Sequence, residues 1–367
     1  MSLLTLDIAS CVRVTNKFST CTECETACPV ETISINENQA PSFIPNDCVG
    51  CGGCLSACPT SAYKLDDFSP INYILTFLED KNNIVSCKDS SIPCIAALSS
   101  EEILSMSLLC KDDILFDKSH CKDCSISKPN VELIESRVEE VNFLLEAMEV
   151  KKLVIFEDID SKVEIEEDSI SRRKFLSKAT IKDAAIAKHK FENKVESLSE
   201  ELKEHLVSND DVKNIRQKKV PDRRKLLSMA MKRAGVPSVF HNLDINDISF
   251  ISQKIIDEST CTNCQMCYRI CPTGALTSNE HSGFINFNAV DCVKCNSCHD
   301  VCEPNSITLK PTFSMEELYN PKKEQLIKFS IKRCDECGMP FSYHGGEVMC
   351  TRCRVEEEEA HELWGTR

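Results

Sequence analysis

The stretches CTNCQMCYRICP (residues 261–272) and CVKCNSCHDVCEP (residues 292–304) decide how this chain folds. Each sets three cysteines three residues apart and a fourth four residues further on: Cys261, Cys264, Cys267 and Cys271, then Cys292, Cys295, Cys298 and Cys302. In this spacing three thiolates wrap one iron-sulfur cube while the fourth reaches across to a second. Cys261, Cys264 and Cys267 are therefore expected with Cys302, and Cys292, Cys295 and Cys298 with Cys271.

Residues 255–312 resemble the bacterial two-cluster ferredoxin family. The resemblance implies a compact βαββαβ module holding two 4Fe-4S clusters. One departure is that Glu303 separates Cys302 from Pro304, which alters the local turn without removing a ligand. Residues 1–70 resemble the same family. CVGCGGCLSACP supplies an intact motif at Cys48, Cys51, Cys54 and Cys58, whereas CTECETACP supplies only Cys21, Cys24 and Cys28 and has Phe18 where a first cysteine is expected. Cys11 is the nearest substitute. One cluster is assigned to Cys11, Cys21, Cys24 and Cys58, and the other to Cys28, Cys48, Cys51 and Cys54. The competing reading leaves Cys11 as a buried apolar residue and the site as a three-iron cluster.

Between these modules NNIVSC, SSEEILSMSLLC, DDILF, VELIESRVEEVNFLLEAM and KKLVIF alternate short apolar strands with amphipathic helices. This is a βαβαβ pattern and predicts a small parallel sheet in residues 71–160. Cys87, Cys94, Cys121 and Cys124 fall at its carboxyl edge, where open parallel sheets place their sites, and Cys110 falls at the opposite edge. The run from Cys87 through IPCIAAL to HCKDC is similar to the small iron-sulfur domain in the D subunit of methyl-viologen-reducing hydrogenases. That resemblance implies a 2Fe-2S cluster on these four cysteines; the alternative is a set of core cysteines.

Near the end, CDEC and CTRC set Cys334, Cys337, Cys350 and Cys353 as two knuckles twelve residues apart, and residues 325–367 resemble a zinc ribbon with an acidic tail. Four thiolates suit a closed structural zinc site, and rubredoxin-like iron has the same ligand set. The glutamate run after Cys353 reads as solvated rather than structured. Residues 161–254 are charged, contain no cysteine and read as a helical linker. Within it SRRKFLSKA (171–179) and DRRKLLSMA (222–230) suggest two equivalent amphipathic helices, with Ser171 and Asp222 as N-caps. The first also matches a twin-arginine export motif, but it lies mid-chain with no apolar stretch behind it. His281, His299 and His344 lie near metal motifs that the thiolates already complete.

The expected architecture is thus α+β and multidomain: two ferredoxin-like modules flanking a small parallel βαβαβ domain and a helical linker, with a C-terminal zinc ribbon. The 25 cysteines among 367 residues are grouped, not scattered, which favours metal ligation over a disulfide framework. Reduced thiols, no secretory leader and no apolar run of about 20 residues predict a cytoplasmic chain without membrane insertion. The formal charge of −15 argues against nucleic acid as a partner. No phosphate-cradling loop, dinucleotide fingerprint or nucleophile beside a base is present. The expected role is a relay of electrons between a low-potential dehydrogenase or hydrogenase and an acceptor. The alternatives are an iron-sulfur redox sensor or regulatory scaffold acting through the ribbon, and a catalytic subunit working at the middle site.

Overall fold

The computed structural model describes residues 3–36, 40–79, 82–89, 91–159, 217–279, 283–343 and 345–365. The chain divides into two units, Met1–Asp158 with Ile215–Arg367 and Ile159–Asn214, and all that follows concerns the first. The SRRKFLSKA segment, the first half of the expected linker, His281 and His344 lie outside the described residues.

In the first 70 residues the strands Leu4–Leu6 and Tyr63–Leu65 pair antiparallel, as do Ile33–Ser34 and Ser42–Phe43. The short helices Val12–Thr15 and Glu23–Thr26 follow the first strand, and Gly53–Ala57 precedes the last. Strands of two or three residues do not hold together alone. Leu4, Ile33, Leu55, Ala62, Tyr63 and Leu65 form the small core beneath them, shared with Cys11, Cys24, Cys54 and Cys58.

The second cysteine-rich segment repeats this plan. Lys254–Ile256 pairs with Ile307–Leu309 and Leu276–Ser278 with Phe284–Asn288, around the helices Met266–Ile270 and Ser297–Asp300. It also extends past the expected boundaries of 255 and 312. Lys323–Lys328 adds a third strand beside Phe284–Asn288, and Asn242–Asp244 pairs with Thr312–Ser314.

The middle segment forms a parallel sheet in the order Ile84–Val85, Ile114–Asp117, Val154–Glu157, with the helices Ser100–Leu109 and Ser127–Ala147 as connections. Ser100–Leu109 opens with a capping box. The Glu102 amide donates to the Ser99 hydroxyl at 3.4 Å, and the Ser99 amide donates to the Glu102 carboxylate at 2.8 Å. The sequence suggested an amphipathic helix, but its residues are buried on every side from Ser100 to Leu108.

Its outer face is covered by the helix Asp222–Ala234, whose Leu226, Leu227, Ala230 and Met231 join the same core. This stretch, expected within a linker, is therefore packed interior. Pro221 takes the N-cap position and Asp222 is the first helical residue, an arrangement in which Asp222 accepts from Lys225 at 2.7 Å instead of capping.

Arg223 and Arg224 are buried here, at 6% and 2% exposure, against Glu101 at 1%. Arg223 pairs with Glu101 at 2.8 Å and donates to the carbonyls of Cys58 at 2.7 Å and Pro59 at 2.9 Å. Arg224 pairs with the other oxygen of Glu101 and donates to the carbonyls of Cys292 at 2.8 Å and Phe250 at 2.7 Å.

The C-terminal segment is a hairpin, Ile331–Arg333 with Pro340–Ser342, followed by the helix Thr351–Trp364. The tail expected to be unstructured is thus helical, although exposed along most of its length. An Arg352–Glu356 pair at 2.7 Å, one turn apart, supports it. No described helix is long and apolar enough to cross a membrane.

Removing one member of a buried ion pair strands the opposite charge, at about 3–5 kcal/mol. Glu101→Gln should lower the free energy of urea unfolding of the anaerobically loaded full-length protein by that order, and its midpoint with it, whereas Glu316→Gln, at the exposed Lys322 pair, should leave both unchanged.

Candidate metal centres

Three cavities of similar size, about 20 Å³ each, are lined by the cysteines grouped above. One holds Cys261, Cys264, Cys267 and Cys302. One holds Cys271, Cys292, Cys295 and Cys298. The third holds Cys28, Cys48, Cys51 and Cys54. In each, the fourth thiol of one motif crosses to the three thiols of the other. Their remaining walls are largely apolar, with Ile256 and Ile307 in the first, Leu276 and Phe287 in the second, and Leu4 and Ile33 in the third.

Backbone conformation explains how the loops wrap these cavities. The residues on either side of the middle cysteine are left-handed in three motifs: Gly50 and Gly52 around Cys51, Asn263 and Gln265 around Cys264, and Lys294 and Asn296 around Cys295. Such turns aim successive backbone N–H groups into a concavity suited to an anion. Glycine and asparagine adopt this region readily, glutamine and lysine less so. The incomplete motif lacks these left-handed residues around Cys21, although Glu23–Thr26 forms over Cys24 the same short helix that the other motifs form over their third cysteine.

Cys11 nevertheless joins Cys21, Cys24 and Cys58. Burial pushes the Cys21 thiol up to about 11, with charge on Cys58 and Cys11 adding to the rise. Burial pushes Cys24 up to about 12, and Cys58, Cys21 and Cys11 add to it. Cys11 itself is buried at 7% exposure with the backbone amides of Val14 and Arg13 facing its sulfur. Burial likewise carries Cys267 and Cys298 to about 12. Such thiols keep their protons at neutral pH until a cationic centre replaces them. Four converging thiols, apolar walls and inward N–H groups fit iron-sulfur cubes on the chemistry of the donor set.

In the middle segment Cys87 opens a short turn after the first strand, and Cys121 and Cys124 belong to the turn after the second. Cys94 precedes the turn Ile95–Ala97. Burial raises Cys121 to about 11, aided by Cys87 and Cys124. It raises Cys94 to about 12, aided by Cys51, Cys87 and Cys121. The four cysteines are thus electrostatic neighbours at the carboxyl edge of the sheet. Cys110 caps the helix Ser100–Leu109 away from them, and its carbonyl accepts from Lys152 at 2.5 Å. Asp117 lies beneath the site. Burial opposes its ionisation, but hydrogen bonds from Ser119 and Ser86 and the charge of Lys88 prevail and hold it near 2.

The sulfurs of Cys334, Cys337, Cys350 and Cys353 all lie within 4.8 Å of one another, with Cys337 and Cys350 at 3.7 Å. A tetrahedron of about 2.3 Å metal–sulfur bonds sets its sulfurs roughly 3.8 Å apart, so this group is sized for one ion rather than a cluster. Backbone amides of Cys337 and Cys350 face the Cys334 sulfur and lower its thiol to about 6.

His299 lines none of the three cavities. Burial first and then Lys254, whose Nζ lies 2.8 Å from its Nε2, hold it near 4 and neutral. The sequence reading overlooked Lys254, which is 3% exposed and lines the cavity of Cys271, Cys292, Cys295 and Cys298. It also overlooked Arg223, Arg224 and Asn130. Isolated charged or amide residues carry no spacing signal, and the doubled arginine was the one available hint.

The profile of the 4Fe-4S dicluster domain matches residues 19–62, and a second profile of that description matches residues 253–303. An uncharacterized ferredoxin of Methanocaldococcus jannaschii is 35% identical over 63 residues, which are 17% of this chain and 94% of that protein. The chain therefore belongs to the ferredoxins, and it carries their 4Fe-4S dicluster domain twice.

Proposed function

We propose that this protein is a multi-cluster electron relay, polyferredoxin-like, passing electrons between a low-potential dehydrogenase or hydrogenase and an acceptor. In this reading two βαββαβ modules hold four 4Fe-4S clusters and flank the small parallel domain, which holds a 2Fe-2S cluster, while the ribbon binds zinc. Each cluster, when bound, takes up and returns single electrons. The protein supplies the ligands, the spacing and the field.

The contact between the two modules carries this reading. Asn16 donates to the Ser297 carbonyl at 3.4 Å, and the Thr20 amide and hydroxyl donate to the Asp300 carboxylate at 3.1 and 2.9 Å. Cys21 of one module and Cys295 of the other line a single cavity. Within the modules, charge on Cys24 reaches Cys54, and charge on Cys267 reaches Cys298. Four centres in mutual reach serve a relay, whereas a sensor needs only one labile cluster. The 25 cysteines form no disulfide, and cysteines grouped as ligands suit a reducing compartment such as the cytoplasm. Zinc has one valence here, so the ribbon would hold a docking surface and carry no electrons.

Anaerobic iron, acid-labile sulfide and zinc measured per chain should give about sixteen irons, about two more from the middle site, and one zinc. Iron that stops near eight in fully loaded protein would favour a regulatory scaffold instead. Cys11→Ser should lower the iron content of one site and produce a three-iron EPR signal in the oxidised protein; unchanged iron and spectra would show that Cys11 is not a ligand. Cys350→Ser should lose the zinc and keep the iron.

A further inference from the structure

The loop around Cys51 lies directly on the middle segment. Gly52 is left-handed, and a Cβ there would stand 2.6 Å from the Cβ of Ala97. Only glycine allows both the conformation and the approach. Four residues on, the Ser56 hydroxyl donates to the Ala96 carbonyl at 2.6 Å. These contacts bring the cavity of Cys28, Cys48, Cys51 and Cys54 against the turn that follows Cys94.

Asn130, in the first turn of the helix Ser127–Ala147, occupies the junction at 3% exposure. Its Nδ2 donates to the Cys94 sulfur at 3.7 Å, and the same side chain lies beside Cys51. A Cβ placed on Gly53 would stand 3.9 Å from both the Asn130 Oδ1 and the Cys51 sulfur, which puts the amide and that sulfur around one point. Oδ1 is buried and accepts no hydrogen bond among the described residues. A carboxamide has two N–H hydrogens. One is given to Cys94, which leaves the other for Cys51, at the expense of an unpaired oxygen.

We propose that Asn130 is a shared hydrogen-bond bridge between the cluster of Cys28, Cys48, Cys51 and Cys54 and the middle site of Cys87, Cys94, Cys121 and Cys124, and that the middle site exchanges electrons with the relay across it. The inference rests on both sites holding clusters, as in the relay reading above. One electron leaves the reduced site and is gained by the other, and the amide keeps both protons throughout. A hydrogen bond to a cluster's sulfur favours the more negative, reduced state and so raises its potential. One residue thereby adjusts two potentials in the same direction. The middle site is a branch or an end of the wire, entered beside Cys51. Asn130 acts as a positioning residue, since it touches ligand sulfurs and undergoes no chemistry itself.

The test is an EPR-monitored redox titration of the anaerobically loaded full-length protein, native and with Asn130→Leu or Asn130→Asp. Leucine keeps much of the volume without a donor, and aspartate keeps the shape. The expected result is native iron and sulfide with both potentials shifted downward together and the other three clusters unmoved. A shift at only one of the two sites, at neither, or at all of them would overturn the bridge. Native protein gives a measurement independent of either variant's folding: the EPR signal of the middle site should relax faster once the neighbouring cube is reduced, and an unaltered relaxation rate would also overturn the proposal. Native protein that loads the four cubes but no further iron would instead show that the middle site carries no cluster, so the relay reading fails at that site and the bridge fails with it.

Discussion

One carboxylate ties the middle segment to both ferredoxin segments. Glu101 sits on the helix between the first two parallel strands and accepts both Arg223 and Arg224, and each arginine turns its remaining donors outward to carbonyls of a different cysteine loop. Three parts of the chain thus meet at a single buried charge cluster. Taking these ions out of water is costly, and the interaction is favourable only because nearly every donor is used. Arginine suits the task, since its planar fork reaches a carboxylate and two carbonyls at once. The middle segment, the helix that supplies the arginines and the C-terminal ferredoxin segment also share one continuous apolar core, whereas the N-terminal segment keeps a small core of its own. The separation of the cysteine cavities is therefore set by this cluster together with that core.

What was legible in the sequence follows from what has a period. Cysteine spacing identified the matched ferredoxin segments, and alternation of apolar runs identified the parallel sheet. The reading of 222–234 as linker failed for a physical reason. DRRKLL looks solvated by composition, and only a carboxylate 122 residues earlier makes its arginines interior. The strand Lys323–Lys328, KEQLIK, has one strongly buried residue, Ile327, and exists because the edge of Phe284–Asn288 was open to it. The glutamate run after Cys353 lacked an apolar face and so gave no helical signal, yet glutamate propensity and a one-turn ion pair suffice for an exposed helix.

The duplication is also less symmetrical than its motifs suggest. Three cysteine loops share the left-handed turns around their middle cysteine, while the fourth lacks them and has Cys11, at the start of the neighbouring helix, in the same core as Cys24 and Cys58. Nothing in the spacing of CTECETACP shows this, because Cys11 arrives through tertiary packing. Lys254 adds a second asymmetry, placing a buried lysine beside one cavity of the C-terminal pair.

The contact of Thr20 with Asp300 spans 280 residues of sequence. A ribosome adding roughly 5–20 residues per second needs some tens of seconds to cover that distance. From Cys58 onward, for most of this interval, the N-terminal cysteines are complete in sequence while the surface that will cover Cys21 has not yet been made. The side of the N-terminal segment that carries Cys21 is therefore exposed during synthesis and is covered only after the last ferredoxin segment has been made.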